Sequence, residues 1–113
     1  MQHTDKNYEI QMNSINEKLI KMGSILEEQF NKALKVLSTR DENLANDIID
    51  TDKQINDLNH DISDTVFQII AMRQPMADDL RFLFCSIKII RDLERIGDHL
   101  VTVAKKGYRI NSS

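Results

Sequence analysis

The chain of 113 residues has one proline, three glycines, one cysteine, no tryptophan and only 5% aromatic residues. So few turn formers exclude a β-sandwich or barrel of many short strands, because each strand would need its own corner. With a single cysteine no intrachain disulfide forms, and lacking a second thiol Cys85 reads as a buried structural cysteine. Long apolar runs are missing as well. Phe82-Leu83-Phe84-Cys85 falls far short of the roughly 20 residues of a spanning helix, and the polar stretch from Met1 to Asn7 has no apolar signal core. A cytoplasmic protein without direct membrane insertion is expected. Basic residues do not outnumber acidic ones, 15 against 18 for a net charge of −3, so a nucleic-acid partner is not expected. There is no Gly-rich phosphate cradle, nucleophile motif or zinc spacing. The chain is therefore not expected to be an enzyme.

What the sequence does hold is helical periodicity in three segments. Tyr8, Met12, Ile15, Leu19, Met22, Leu26, Phe30, Ala33 and Leu37 recur at steps of three and four, which predicts one helix with one apolar stripe. The break falls at Ser38-Thr39-Arg40-Asp41, with Asp41 as N-cap and Thr39 and Glu42 at capping-box spacing. In the second segment Ile48, Ile55, Ile62 and Ile69 stand seven residues apart, with Leu44, Thr51, Leu58, Thr65 and Met72 between them, a heptad seam. Its first two thirds are acidic: Asp41, Glu42, Asp47, Asp50, Asp52, Asp57, Asp61 and Asp64 face Lys53 alone. Pro75 removes a backbone donor and disfavours helix at Gln74, so a third helix starts after it. Asp78 and Asp79 suit its first turn and Lys105, Lys106 and Arg109 its end, with Gly107 as a stop and Asn111-Ser112-Ser113 as a fraying tail.

Helices at about 5–38, 42–73 and 76–106, joined by short connections, predict an all-α antiparallel three-helix bundle with long helices, in one domain over 1–113. The third helix is unusual in being apolar on two sides. Leu80, Leu83, Phe84, Ile87 and Val101 share one face with Arg91, Glu94 and Asp98, while Phe82, Cys85, Ile89, Leu93, Ile96, Leu100 and Val103 lie roughly opposite. Two neighbours do not cover both faces, so a second chain or domain is expected to pack there.

Glu94 and Asp98, four apart on a helix, project side by side and suit a hard or borderline metal ion. Arg91 and Arg95 are equally well spaced to neutralise them. Glu27, Glu28 and Asp52 are further oxygen donors, or simply a solvated face. His3, His60 and His99 show no ligand spacing and read as surface residues, although His99 beside Asp98 is a candidate for a metal shell. Met12, Met22, Met72 and Met76 read as packing.

The run Arg73-Gln74-Pro75-Met76-Ala77-Asp78-Asp79-Leu80-Arg81, followed by Ile87-Lys88-Ile89-Ile90-Arg91-Asp92-Leu93-Glu94-Arg95-Ile96-Gly97-Asp98-His99, resembles the signature of the PhoU family. Met22-Gly23-Ser24-Ile25-Leu26-Glu27, Asp41-x-x-Leu44-Ala45 and Ile48-Ile49-x-x-Asp52 support it, and the likeness covers nearly the whole chain. The resemblance implies a cytoplasmic, non-catalytic regulator of phosphate homeostasis. Such a protein works with the phosphate ABC transporter and its sensor histidine kinase to restrain uptake and phosphate-regulon signalling. It also implies binding of a divalent or iron-type metal ion at Glu94 and Asp98 with Glu27 and Asp52 in addition; Asn56 and Asn59 stand where family members often have acids. Arg73, Asp79 and Arg81, at the turn between the second and third helices, are expected to contact the partner; local capping and salt bridging is the competing reading. Family members usually carry two such repeats, and this chain resembles only the first. A homodimer rebuilding six helices is expected, with a truncated, non-functional copy as the alternative. A metal-dependent phosphate-handling or phosphohydrolase subunit is the alternative of another class.

Overall fold

The computed structural model describes residues 2–109, with side chains from Lys6 onward. The expectations for His3 and for the tail at 111–113 lie outside the described residues. Helices α1 (Gln2–Thr39), α2 (Glu42–Arg73) and α3 (Ala77–Gly107) form an antiparallel three-helix bundle measuring 63 × 18 × 16 Å. Among the described residues there is no strand, and no helix is long and apolar enough to cross a membrane.

Backbone chemistry at two turns sets this topology. Arg40 takes φ 56°, and its N–H donates to the Val36 carbonyl at 2.8 Å, the left-handed stop that usually falls to glycine or asparagine. Asp41 then caps α2, its Oδ1 accepting from the backbone N–H of Asn43 at 2.9 Å and Leu44 at 3.2 Å. The expected capping box is not made: the Thr39 hydroxyl donates back to the Lys35 carbonyl at 2.7 Å, because Thr39 still belongs to α1. At the second turn Gln74 is left-handed with φ 48°, a single-residue excursion that keeps it out of the right-handed helical region Pro75 disfavours. Asp78 and Asp79 occupy the first turn of α3.

The core is a ladder of isoleucines. Ile48, Ile55, Ile62 and Ile69 are all fully buried, packed with Ile15, Met22, Val36, Leu83 and Ile90. Three pairs fix the register of α1 against α3: Tyr8 with Asp79, Leu26 with Gly97 and Val36 with Gly107, each separated by 71 residues. The two helices therefore run parallel and level, while α2 returns antiparallel beside both. Lys32 meets Asp47 at 2.7 Å and Lys18 meets Asp61 at 3.5 Å, so α1 supplies cations to the acidic flank of α2.

Several inward positions differ from the sequence expectation. On α1 the stripe steps from Leu26 to Gln29 and Val36, leaving Phe30 at 53% and Leu37 at 40% exposure. Gln29 is tolerated inside because its Nε2 donates to the Ile48 carbonyl at 2.8 Å. On α3 neither apolar stripe forms the core alone; the buried set is Leu83, Ser86, Ile90, Gly97, Leu100, Ala104 and Gly107. The small residues in that set admit close helix approach, with the Ser86 hydroxyl satisfied by the Phe82 carbonyl at 2.8 Å. Cys85 is exposed rather than buried, since Leu83 and Ser86 hold the inward positions on either side. Met72 and Met76 are also exposed: the seam of α2 ends at Ile69, and both flank the turn at the bundle's end.

Candidate functional site

Carboxylates gather between α2 and α3 at mid-bundle. Asp52 is half-buried, as is Glu94, while Asp98 is exposed. Burial first, then the negative charges of Asp98 and Glu94, push the Asp52 carboxyl above its ordinary 3.8. Its Oδ1 is buried without a hydrogen-bond partner. Gly97 makes room for it. A Cβ at that position would stand 2.9 Å from Asp52 Oδ1, 3.5 Å from Ile55 Cδ1 and 3.6 Å from Leu26 Cδ2. An isolated glycine inside a helix costs about 1 kcal/mol against alanine, and that cost was the sequence signal for a close approach here.

Neither Arg91 nor Arg95 forms an ion pair with Glu94 or Asp98 among the described residues; the α3 pairs nearby are Lys88 with Asp92 at 3.7 Å and Arg81 with Asp78 at 3.7 Å. The local neutralisation that the spacing allowed is therefore absent, and the three acids repel one another. Glu27 is exposed on α1. As hard oxygen donors these residues suit a cation chemically. Their geometry falls short of a closed site: among the described residues no three of His, Cys, Asp and Glu are placed to hold a metal ion. His60 and His99 are exposed.

The second gathering is at the end of the bundle, around the turn between α2 and α3. Arg73 is half-buried and Arg81 exposed. Asp79 is tied to the amino end of α1, accepting a hydrogen bond from the Tyr8 hydroxyl at 2.7 Å. Tyr8 is pushed up to about 12 by burial first, then by the hydrogen bond to Asp79 and its negative charge. Tyr8, Glu9, Met12, Asn13 and Asp79 line an open groove there. Met72 and Met76, which flank the turn, are 78% and 80% exposed; Phe67 and Phe84, at 61% and 60%, lie further along α2 and α3. Exposed methionines beside charged residues at a turn have the composition of a contact surface. The role of Tyr8 was not legible in sequence, since its partner lies 71 residues away.

Comparisons with known proteins agree with this architecture. Residues 19–107 match the family model described as PhoU domain. The chain is 41% identical over 109 residues to the phosphate-specific transport system accessory protein PhoU homolog of Clostridium acetobutylicum, covering 96% of this chain and 50% of that protein. It is 35% identical over 96 residues to the phosphate-specific transport system accessory protein PhoU of Escherichia coli K12, covering 85% of this chain and 40% of that one. The crystal structure of PhoU from Pseudomonas aeruginosa superposes with a TM-score of 0.87 at 34% identity, over 91% of this chain and 49% of that chain. The chain thus spans about half the length of the relatives it matches, and over that span it belongs to the PhoU domain family.

Proposed function

We propose that this protein is a non-enzymatic accessory regulator of phosphate uptake, acting in the cytoplasm to restrain a phosphate ABC transporter and the signalling of its sensor histidine kinase. One observation carries this reading: the 41% identity, over 96% of the chain, to a protein named as a phosphate-specific transport system accessory homolog. The turn end fits the role, because Asp79 is fixed in place by Tyr8 while Arg73, Arg81 and the exposed methionines are displayed around it. The chain pairs with a second copy of itself through apolar surface that the three-helix bundle leaves exposed. The test is complementation of a bacterium lacking its own accessory protein, with a phosphate-starvation reporter read in phosphate-rich medium. Wild-type chain should restore repression, and Asp79→Lys should not, with helicity unchanged. Failure of the wild type removes the functional reading, whereas full activity of Asp79→Lys removes only the turn assignment.

A second reading is a cation held at Glu94 and Asp98, with Asp52 contributing; Glu27, exposed on α1, lies away from these three. The orphaned Asp52 Oδ1 beside two further carboxylates favours it. Titrating the metal-free protein with manganese, iron or zinc while following thermal stability tests it. A rise in Tm that Asp98→Asn abolishes supports the site, and no response in the wild type removes it.

A further inference from the structure

Among the described residues eleven large apolar side chains are exposed; Ile10, Ile20, Phe67, Met72, Met76 and Phe84 are spread over the bundle, and the other five share one flank. Phe30, Leu34 and Leu37 on α1 are 53%, 49% and 40% exposed, and Ile89 and Ile96 on α3 are 43% and 46% exposed. At about 100° per residue Phe30, Leu34 and Leu37 span an arc of only about 60°. Leu37 fixes where that arc points, because its Cδ2 lies 3.2 Å from where a Gly107 Cβ would stand. On α3, Ile89 lies five full turns before Gly107 and so points the same way, and Ile96 is offset by about 20°. All five side chains therefore line the α1–α3 seam, with α2 on the far side of the bundle.

We infer that the α1–α3 seam is the surface on which a second copy of this chain docks, seam against seam across a two-fold axis. This rests on the two-copy reading above and adds where the copies meet. Area decides the occupant. Five aliphatic and aromatic side chains, each roughly half exposed, leave roughly 400 Å² of apolar surface, taking about 150–200 Å² for each. A stable interface of standard size buries about 800 Å² per partner and is about 56–65% apolar. The seam supplies most of that apolar share without rearrangement. The carboxylates between α2 and α3 face away from this contact, and the Tyr8–Asp79 pair lies at the end of the seam away from Leu37.

Sedimentation equilibrium of the full chain, in reductant because Cys85 is exposed, tests the assignment. At tens of micromolar the wild type should sediment at twice its 13.1 kDa. Leu34→Lys and Ile96→Lys should each weaken the dimer about tenfold or more, while Phe67→Lys and Met72→Lys, on α2, should leave it intact. Circular dichroism checks the fold of each variant; if a lysine variant loses helix, Leu34→Ser and Ile96→Ser replace it. A monomeric wild type overturns the two-copy reading together with the seam. A dimer that survives both seam variants, or that is lost on Phe67→Lys, overturns the seam alone. The phosphate reading is decided separately by the reporter.

Discussion

The Tyr8–Asp79 hydrogen bond offers the sharpest check on how the turn end is held. Tyr8→Phe removes the hydroxyl and leaves the ring in place. The phenol is raised from 10.0 to about 12, which by linkage alone would correspond to about 2.7 kcal/mol. Tyr8 is only partly buried, so solvent screening reduces this, and a contribution of about 1 kcal/mol is the realistic figure. For a chain of this length that amounts to about 4 °C in Tm. The folded state favours the protonated phenol, so the stabilisation is complete below pH 10 and is lost as pH rises towards 12. Wild type and Tyr8→Phe should therefore differ by about 1 kcal/mol in urea unfolding at pH 8, and the gap should close through that window. Phenolate absorbance, measured in a Tyr108→Phe background to isolate Tyr8, should titrate near the upper end. A gap under about 0.3 kcal/mol at pH 8, or ionisation of Tyr8 at an ordinary phenol pH, would refute the reasoning.

Two further substitutions probe the mid-bundle carboxylates. Asp52 is raised by burial and by Asp98 and Glu94, so its contribution is full below about pH 3.8 and declines as pH rises through the folded-state value. Asp52→Asn should accordingly be more stable than wild type at pH 7, by on the order of 1 kcal/mol, with the advantage shrinking towards pH 4; parallel pH dependences in urea unfolding would contradict this. At Gly97, alanine should fall within about 1 kcal/mol of wild type, because helix propensity offsets the displacement of a carboxylate oxygen that has no hydrogen bond to lose. Valine there should cost about 1–3 kcal/mol, since its methyls press on Ile55 and Leu26. Equal stability of the two variants would show that the niche is not tight.

The parts of the fold that were legible in sequence are those governed by a single helix. The isoleucine ladder of α2, the Asp41 cap and the break at Pro75 each depend on periodicity or on local backbone chemistry, and those act within a few residues. What was not legible depends on where neighbouring helices stand. Gln29 is buried because the carbonyl of Ile48 waits for it, and nothing near Gln29 in the chain signals that. On α3 the inward direction follows the smallest residues, Ser86, Gly97, Ala104 and Gly107, whereas hydrophobicity alone pointed to larger side chains that the bundle leaves half exposed. The candidate site shows the same division. The side-by-side placement of Glu94 and Asp98 follows from helix geometry, but the tie from Tyr8 to Asp79 and the entry of Asp52 beside Gly97 require the register between helices.

That register also keeps the candidate surfaces of the molecule apart. Because α1 and α3 run level with an offset of 71 residues, the side of α3 that meets α1 carries Ile89, Ile96 and Gly107. The α2-facing side carries Glu94 and Asp98, nearly opposite to the seam's exposed edge. Asp79 also lies along the α1–α3 contact, tied to Tyr8 at the end of the bundle away from Leu37 and Gly107. A contact at one of these places leaves the other two uncovered, so self-association along the seam and partner binding at the turn do not compete for the same atoms. Coupling between the turn and the seam would have to pass through the packing of α1 against α3, whose amino-terminal tie is the Tyr8–Asp79 hydrogen bond. Loss of that bond should therefore loosen the end of the bundle that presents Asp79 before it affects the isoleucine core, which is anchored along α2.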